Sequence, residues 1–311
     1  MKQTAGIHHI TAIVGHPQEN ADFYTNVLGL RLVKKTINFD DPGTYHLYFG
    51  NDAGDPGTVM TFFPWANGHS GKIADGQVGR TTFSVPSHAL PFWENHLTEQ
   101  GVAFHKEQHF KETYLTFEDP HGLQLALVER EDGARNKGSH FSEDTAIKGF
   151  AGAVLYSSHP DSTSHTLEHV LGFERVGQEN DLIRFTSSSD IGNTIDIKIS
   201  PFGTIGEEGV GMVHHIAFRA ENAADQLEWQ EHVKKHGFAV TEVRDRNYFK
   251  AIYFREAGHI LFEIATDDPG FTIDEPLEKL GNTLKLPAKY EKHREKLENI
   301  LIPIEMGSNK G

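Results

Sequence analysis

The chain has 311 residues and a formal net charge of −15, from 29 Lys+Arg against 44 Asp+Glu. Such a balance offers no positive field for phosphates, so neither nucleic acid nor an anionic membrane is expected as a partner. The absence of cysteine excludes disulfides, thiolate nucleophiles, Fe–S clusters and Cys-type zinc sites. The opening residues, Met1 to Gly6, carry no apolar signal core, and no run approaches the roughly 18 apolar residues of a membrane span. A cytoplasmic location is therefore expected.

In chain order, the strand-like opening Gly6–Val14 leads into a helical stretch, Asn20–Leu28, and then into β-rich segments Tyr45–Phe49 and Thr58–Phe63. The pattern restarts with Gly79–Val85, the helix Leu90–Gln100, and strands Tyr114–Phe117 and Leu123–Val128. It restarts again at Gly149–Ser157, with Thr163–Leu171, Ile183–Thr186 and Thr194–Ile199. The last copy opens at Gly211–Phe218 and continues through Ala223–His236, Lys250–Phe254 and Ile260–Ile264. Each helix stops near a glycine, as C-terminal capping favours. Val27-Leu28-Gly29 recurs as Val170-Leu171-Gly172, and Gln100-Gly101 loosely as His236-Gly237. The chain thus reads as an α+β protein of four βαβββ modules. One such module has an apolar sheet face it cannot cover alone, so modules are expected to pair into two cupped, barrel-like sheets with helices outside. The expected divisions are a first half at 1–131, a polar linker at 132–148, a second half at 149–270, and a partly helical extension at 271–311.

Two histidine doublets open strands: His8-His9 in the first module and His214-His215 in the fourth. Strand alternation puts His9 and Thr11 on one face, and sends one histidine of each doublet into the same cup. It puts His8 and His214 on the other face, unless a bulge turns them. Glu263 lies on the apolar closing strand Gly258–Ile264, where an acid is costly unless paired or coordinated. The second and third modules open with Arg80-Thr81-Thr82-Phe83 and Ala151-Gly152-Ala153-Val154, without histidine. One complete site is therefore expected, and two modules are expected to serve as scaffold. His9, His215 and Glu263 form the two-histidine, one-carboxylate set that suits non-haem Fe(II), with open positions left for reactants. Mn(II) or another divalent ion is the alternative. His165 and His169 lie one helical turn apart but lack a third ligand. The glycine-rich stretch Gly50–Gly57 lacks the Lys-Ser/Thr of a phosphate cradle and reads as a hairpin loop.

The four modules and the set His9, His215 and Glu263 resemble the vicinal oxygen chelate superfamily of glyoxalase I, bleomycin-resistance proteins and extradiol dioxygenases. The N-terminal Gly-Ile-His-His-Ile-Thr is most similar to the hydroquinone-cleaving ring dioxygenases, which also draw ligands from the first and fourth modules. That resemblance implies Tyr253, Arg246 and His214 as catalytic residues, and His8 and Thr11 beside the substrate. It implies a small aromatic diol and dioxygen as reactants, and leaves a homo-oligomer open. The alternatives are a glyoxalase-like metal lyase or isomerase, and a non-catalytic module that sequesters an aromatic compound.

Overall fold

The computed structural model describes residues 2–199 and 202–306. The first module comprises β1 (Ile7–Val14), α1 (Pro17–Asp22), β2 (Arg31–Ile37), β3 (Tyr45–Gly50) and β4 (Val59–Pro64). The second has β5 (Gln77–Val85), α2 (Leu90–Glu99), β6 (Phe104–His109), β7 (Glu112–Glu118) and β8 (Gln124–Glu129). The third has β9 (Gly149–Ser157), α3 (Pro160–His165), β10 (Glu174–Glu179), β11 (Leu182–Thr186) and β12 (Thr194–Ile199). The fourth has β13 (Met212–Ala220), α4 (Ala223–Lys235), β14 (Arg244–Asp245), β15 (Lys250–Arg255) and β16 (Leu261–Thr266). Residues 132–148 hold no helix or strand. Past β16 the chain runs through 3-10 turns into a short helix, α5 (Arg294–Ile300). Residues 307–311 of the expected extension lie outside the described residues.

Within each module the first and last strands pair in parallel, so the helix is a crossover connection. Modules then join through their first strands, β1 antiparallel to β13 and β5 antiparallel to β9. Two eight-stranded sheets result, ordered β14-β15-β16-β13-β1-β4-β3-β2 and β10-β11-β12-β9-β5-β8-β7-β6. The first module therefore closes with the fourth, and the second with the third. Each sheet takes one module from each half of the sequence. This joins the two histidine doublets on adjacent strands.

The repeated Val-Leu-Gly marker has a structural cause. Helices α1 and α3 each widen into a π-helical turn, Phe23–Val27 and Thr166–Val170, before the chain reverses. Gly29 and Gly172 then adopt φ of +69° and +76°, a left-handed cap that glycine takes without steric cost. The released chain enters an edge strand. Below the helices, residues such as Ile10, Val14, Phe62, Ile216 and Phe262 form the principal apolar core on the convex face of the sheets. In β1, all eight residues are buried: Ile10, Ala12 and Val14 face that core, and His9 and Thr11 face the cup. The extension past β16 fastens to the first module. Lys34 on β2 is fully buried, with Nζ 2.5 Å from both Asp274 Oδ1 and Glu275 Oε2.

Candidate metal centre and its cavity

His9 on β1, His215 on β13 and Glu263 on β16 converge at the centre of the first sheet. His9 Nε2 lies 3.2 Å from His215 Nε2. Glu263 Oε2 lies 2.8 Å from His215 Nε2 and 3.6 Å from His9 Nε2. All three are buried, Glu263 completely. Among the described residues, this is the one group of three metal-binding side chains whose ligand atoms fall within 4.8 Å of one another. Beyond the imidazole contacts, neither oxygen of Glu263 meets a hydrogen-bond donor. Burial alone would push this carboxyl up; the two imidazoles outweigh it and hold it well below the usual carboxylate range. A buried carboxylate without donors is costly by several kcal/mol, and a divalent cation among these three nitrogen and oxygen atoms removes that cost. The donor set therefore fits a divalent metal.

The first histidine of each doublet sits at a β-bulge. Ile7 pairs with Phe218 and His9 with Ala217, leaving His8 as an extra residue; Thr11 pairs with His215 and Ala12 with Val213, leaving His214 extra. The bulges turn both rings back toward their neighbours. His8 Nδ1 is 2.9 Å from His9 Nδ1, and His8 Nε2 is 3.0 Å from the Thr266 carbonyl oxygen. Burial, followed by the neighbouring His9, pushes His8 down to about 3, so its ring is neutral near pH 7. A neutral His8 that donates Nε2–H to Thr266 accepts at Nδ1. His9 must then donate from Nδ1, which leaves its Nε2 lone pair aimed at the cluster. In the fourth module, His214 Nδ1 is 2.7 Å from His215 Nδ1. Burial, then His215, lowers His214 to about 4. When His215 ligates through Nε2, its Nδ1–H donates to His214, and the His214 proton sits on Nε2 at the cavity wall.

A cavity of about 380 Å³ opens over the triad. Tyr253 on β15 stands directly opposite Glu263, and Arg246 Nε is 3.4 Å from the Tyr253 hydroxyl. Burial and Glu263 push the Tyr253 phenol up, against the pull of Arg246, so it stays protonated near pH 7. Arg246 is raised by Tyr253 and Asp40 in spite of its burial. Of the residues expected at the site, Tyr253, Arg246 and His214 reach this cavity with the triad; His8 and Thr11 are not among its lining residues. His8 borders a separate space of about 220 Å³ behind Phe249. Thr11 lies two contacts behind the wall, with its Oγ1 2.8 Å from Thr61 Oγ1. Thr61 Oγ1 is in turn 2.8 Å from His46 Nε2, and His46 Nδ1 is 2.8 Å from the Tyr48 hydroxyl. His46, Tyr48 and Asp40 line the cavity too, and the sequence reading passed over them. The signal for two of them was present on β3, where Tyr45, Leu47 and Phe49 face the core and His46 and Tyr48 take the other face.

The other sheet repeats the backbone with different side chains. Its β5–β9 pairing has bulges at Gly79 and Ala151, where β1–β13 has His8 and His214. By the same register, Arg80 replaces His9 and Gly152 replaces His215. Asp196, beside Val154, replaces Glu263, beside Ala217. Arg184 stands opposite Asp196 as Tyr253 stands opposite Glu263. Its Nε and Nη2 each lie 2.8 Å from an Asp196 oxygen; Nη1 lies 2.6 Å from Glu112 Oε2 and Nη2 2.8 Å from the Tyr114 hydroxyl. A tethered guanidinium thus partners the acid that corresponds to Glu263.

This double-cup architecture with its buried triad defines a recognised class. The family model of the glyoxalase/bleomycin resistance protein/dioxygenase superfamily matches residues 6–127 and 149–273, and the chain belongs to that superfamily. It is 58% identical over 307 residues to MhqO of Bacillus subtilis (strain 168), provisionally named a ring-cleaving dioxygenase, with 98% of each chain covered. It is 30% identical over 307 residues to the chlorohydroquinone/hydroquinone 1,2-dioxygenase of Sphingobium indicum, with 95% of each covered. A crystal structure from B. subtilis subsp. subtilis str. 168, provisionally named a dioxygenase, superposes with a TM-score of 0.96 at 58% identity, over 98% of this chain and 99% of that one. Glyoxalase I of Zea mays shares the fold alone, with a TM-score of 0.61 at 11% identity over 84% of this chain and 92% of that one. No helix among the described residues is long and apolar enough to cross a membrane.

Proposed function

We propose that the protein is an Fe(II)-dependent dioxygenase that opens the ring of hydroquinone-type aromatic diols. The observation that carries this reading is the two-histidine, one-carboxylate set at the floor of the cavity, with the Glu263 oxygens otherwise unpaired. The names of its relatives support ring cleavage, and one of them names hydroquinone. Mn(II) is the alternative ion. When bound, Fe(II) supplies the one-electron redox chemistry and open coordination positions that a closed-shell diol needs to react with dioxygen. Oxygen inserts between a hydroxylated ring carbon and its neighbour, so one C–C bond breaks and a carboxylate and an aldehyde form.

The chain's own residues do the rest. His8 and His214 fix the tautomers of the ligand histidines through their Nδ1 contacts. Protonated Tyr253 donates a hydrogen bond where negative charge develops on oxygen. Arg246 beside it, itself mostly buried, supplies fixed positive charge. Phe63 and Phe249 line the same cavity; they hold an aromatic ring in place and help exclude water. A lyase reading is disfavoured by Thr61. The pseudo-twofold relation that carries His9 onto His215 carries Thr61 onto Glu263. A hydroxyl therefore stands where a fourth, carboxylate ligand belongs. Metal analysis of the His215→Ala variant tests the assignment: severe loss of iron is expected, and full occupancy contradicts it.

A further inference from the structure

The first sheet is an open cup whose rims are the edge strands β14 and β2. Just beyond these rims, two loops meet. Asp40, past β2, accepts from Arg246, past β14, with Oδ2 2.9 Å from Nη2. The Arg244 Nη1 lies 3.6 Å from the same oxygen. This contact separates two spaces. Inside is the cavity over the triad. Outside is a vestibule of about 540 Å³ that Lys289 of the C-terminal segment also borders. Asp40, Arg244 and Arg246 line both. The ion pair therefore lies at the boundary between vestibule and cavity. The vestibule's other acid, Asp245, has its Oδ1 2.8 Å from the Asn247 amide nitrogen that donates to it.

We propose that Asp40 is a charge gate that sets substrate class: by occupying Arg246 and Arg244 it turns away aromatic diols with an anionic ring substituent and admits uncharged hydroquinones. This rests on the reading of the cavity as a hydroquinone site. The Arg246 guanidinium is mostly buried, and its side-chain partners are Asp40 and the Tyr253 hydroxyl. Left alone, it would be a strong site for a carboxylate or sulfonate on the ring. An anionic ligand must instead displace Asp40 from Arg246 and Arg244. Asp40 is exposed at the rim and remains charged near pH 7, because Arg246 and Arg244 hold its carboxyl below the usual range. An uncharged diol meets no such opposition. Discrimination thus comes from an unfavourable contact built against the wrong ligand.

The test is equilibrium binding of hydroquinone and of 2,5-dihydroxybenzenesulfonate to the Fe(II)-loaded protein without oxygen, in wild type, Asp40→Asn and Asp40→Glu. The readout is the ratio of the two dissociation constants. Asp40→Asn should shift that ratio toward the sulfonate by about tenfold or more, a shift that shrinks as salt rises. Asp40→Glu, which keeps the charge, should keep the wild-type preference. An unchanged ratio in Asp40→Asn, or equal shifts in the two variants, overturns the gate. Absent oxygen uptake by wild type with hydroquinone counts against the proposed reaction, whereas the oxygen-free binding ratio tests the gate separately.

Discussion

Tyr253 and Glu263 are a directly opposed pair on the antiparallel strands β15 and β16. A phenol and the carboxylate of the candidate metal centre therefore share one face of one hairpin. Arg246 Nε lies 3.4 Å from the phenol oxygen. The Tyr253→Phe change keeps the ring, its packing and the triad, and removes one hydroxyl. Turnover with hydroquinone should fall by about a hundredfold or more, the usual scale for such a group. Iron content and thermal midpoint should hold. Wild-type turnover in an iron-replete variant would show that the hydroxyl is structural.

His8 is outside the cavity, so its effect should appear in metal binding. Its ring bridges His9 and the Thr266 carbonyl. His8→Ala leaves the His9 tautomer unfixed and should weaken metal affinity by roughly ten- to a hundredfold, as loss of such support does elsewhere. A competition titration with a chelator reads this directly. Affinity equal to wild type would show that the Nδ1 contact orients nothing.

Much of this was legible in the sequence. The four strand openings were legible from the repeat, and the doublets with Glu263 pointed to one cup shared by the first and fourth modules; the strand order of that sheet was not legible and comes from the structure. The strands the sequence reading did not pick out, β2, β6, β10 and β14, are the sheet edges. Stretches such as Phe104–His109 and Glu174–Glu179 are largely polar and partly exposed, so they lack the alternation that marks a half-buried strand. The placement of His8 and His214 required two bulges, which alternation counting cannot see. Asp40 lies in a loop, where only the closure of β2 toward β14 reveals its partner.

In the second sheet, Arg184 is mostly buried and bound to Asp196, Glu112 and Tyr114. Arg184→Ala leaves the buried Asp196 without its guanidinium and should cost about 3–5 kcal/mol in denaturant unfolding, the range for breaking a buried pair. Iron bound at the triad should stay at one per chain in the folded variant. A loss under about 1 kcal/mol would show that Asp196 finds other solvation, contrary to the picture of a tethered cation.

The most direct test of the central claim is isotopic. Fe(II)-reconstituted enzyme is given hydroquinone under ¹⁸O₂, and the ring-opened product is analysed by mass spectrometry at short reaction times, before the aldehyde exchanges with water. The account requires both labelled oxygens in the product, one in the carboxylate and one in the aldehyde, with one dioxygen consumed per ring opened. An unlabelled product, or substrate conversion without oxygen uptake, would contradict it.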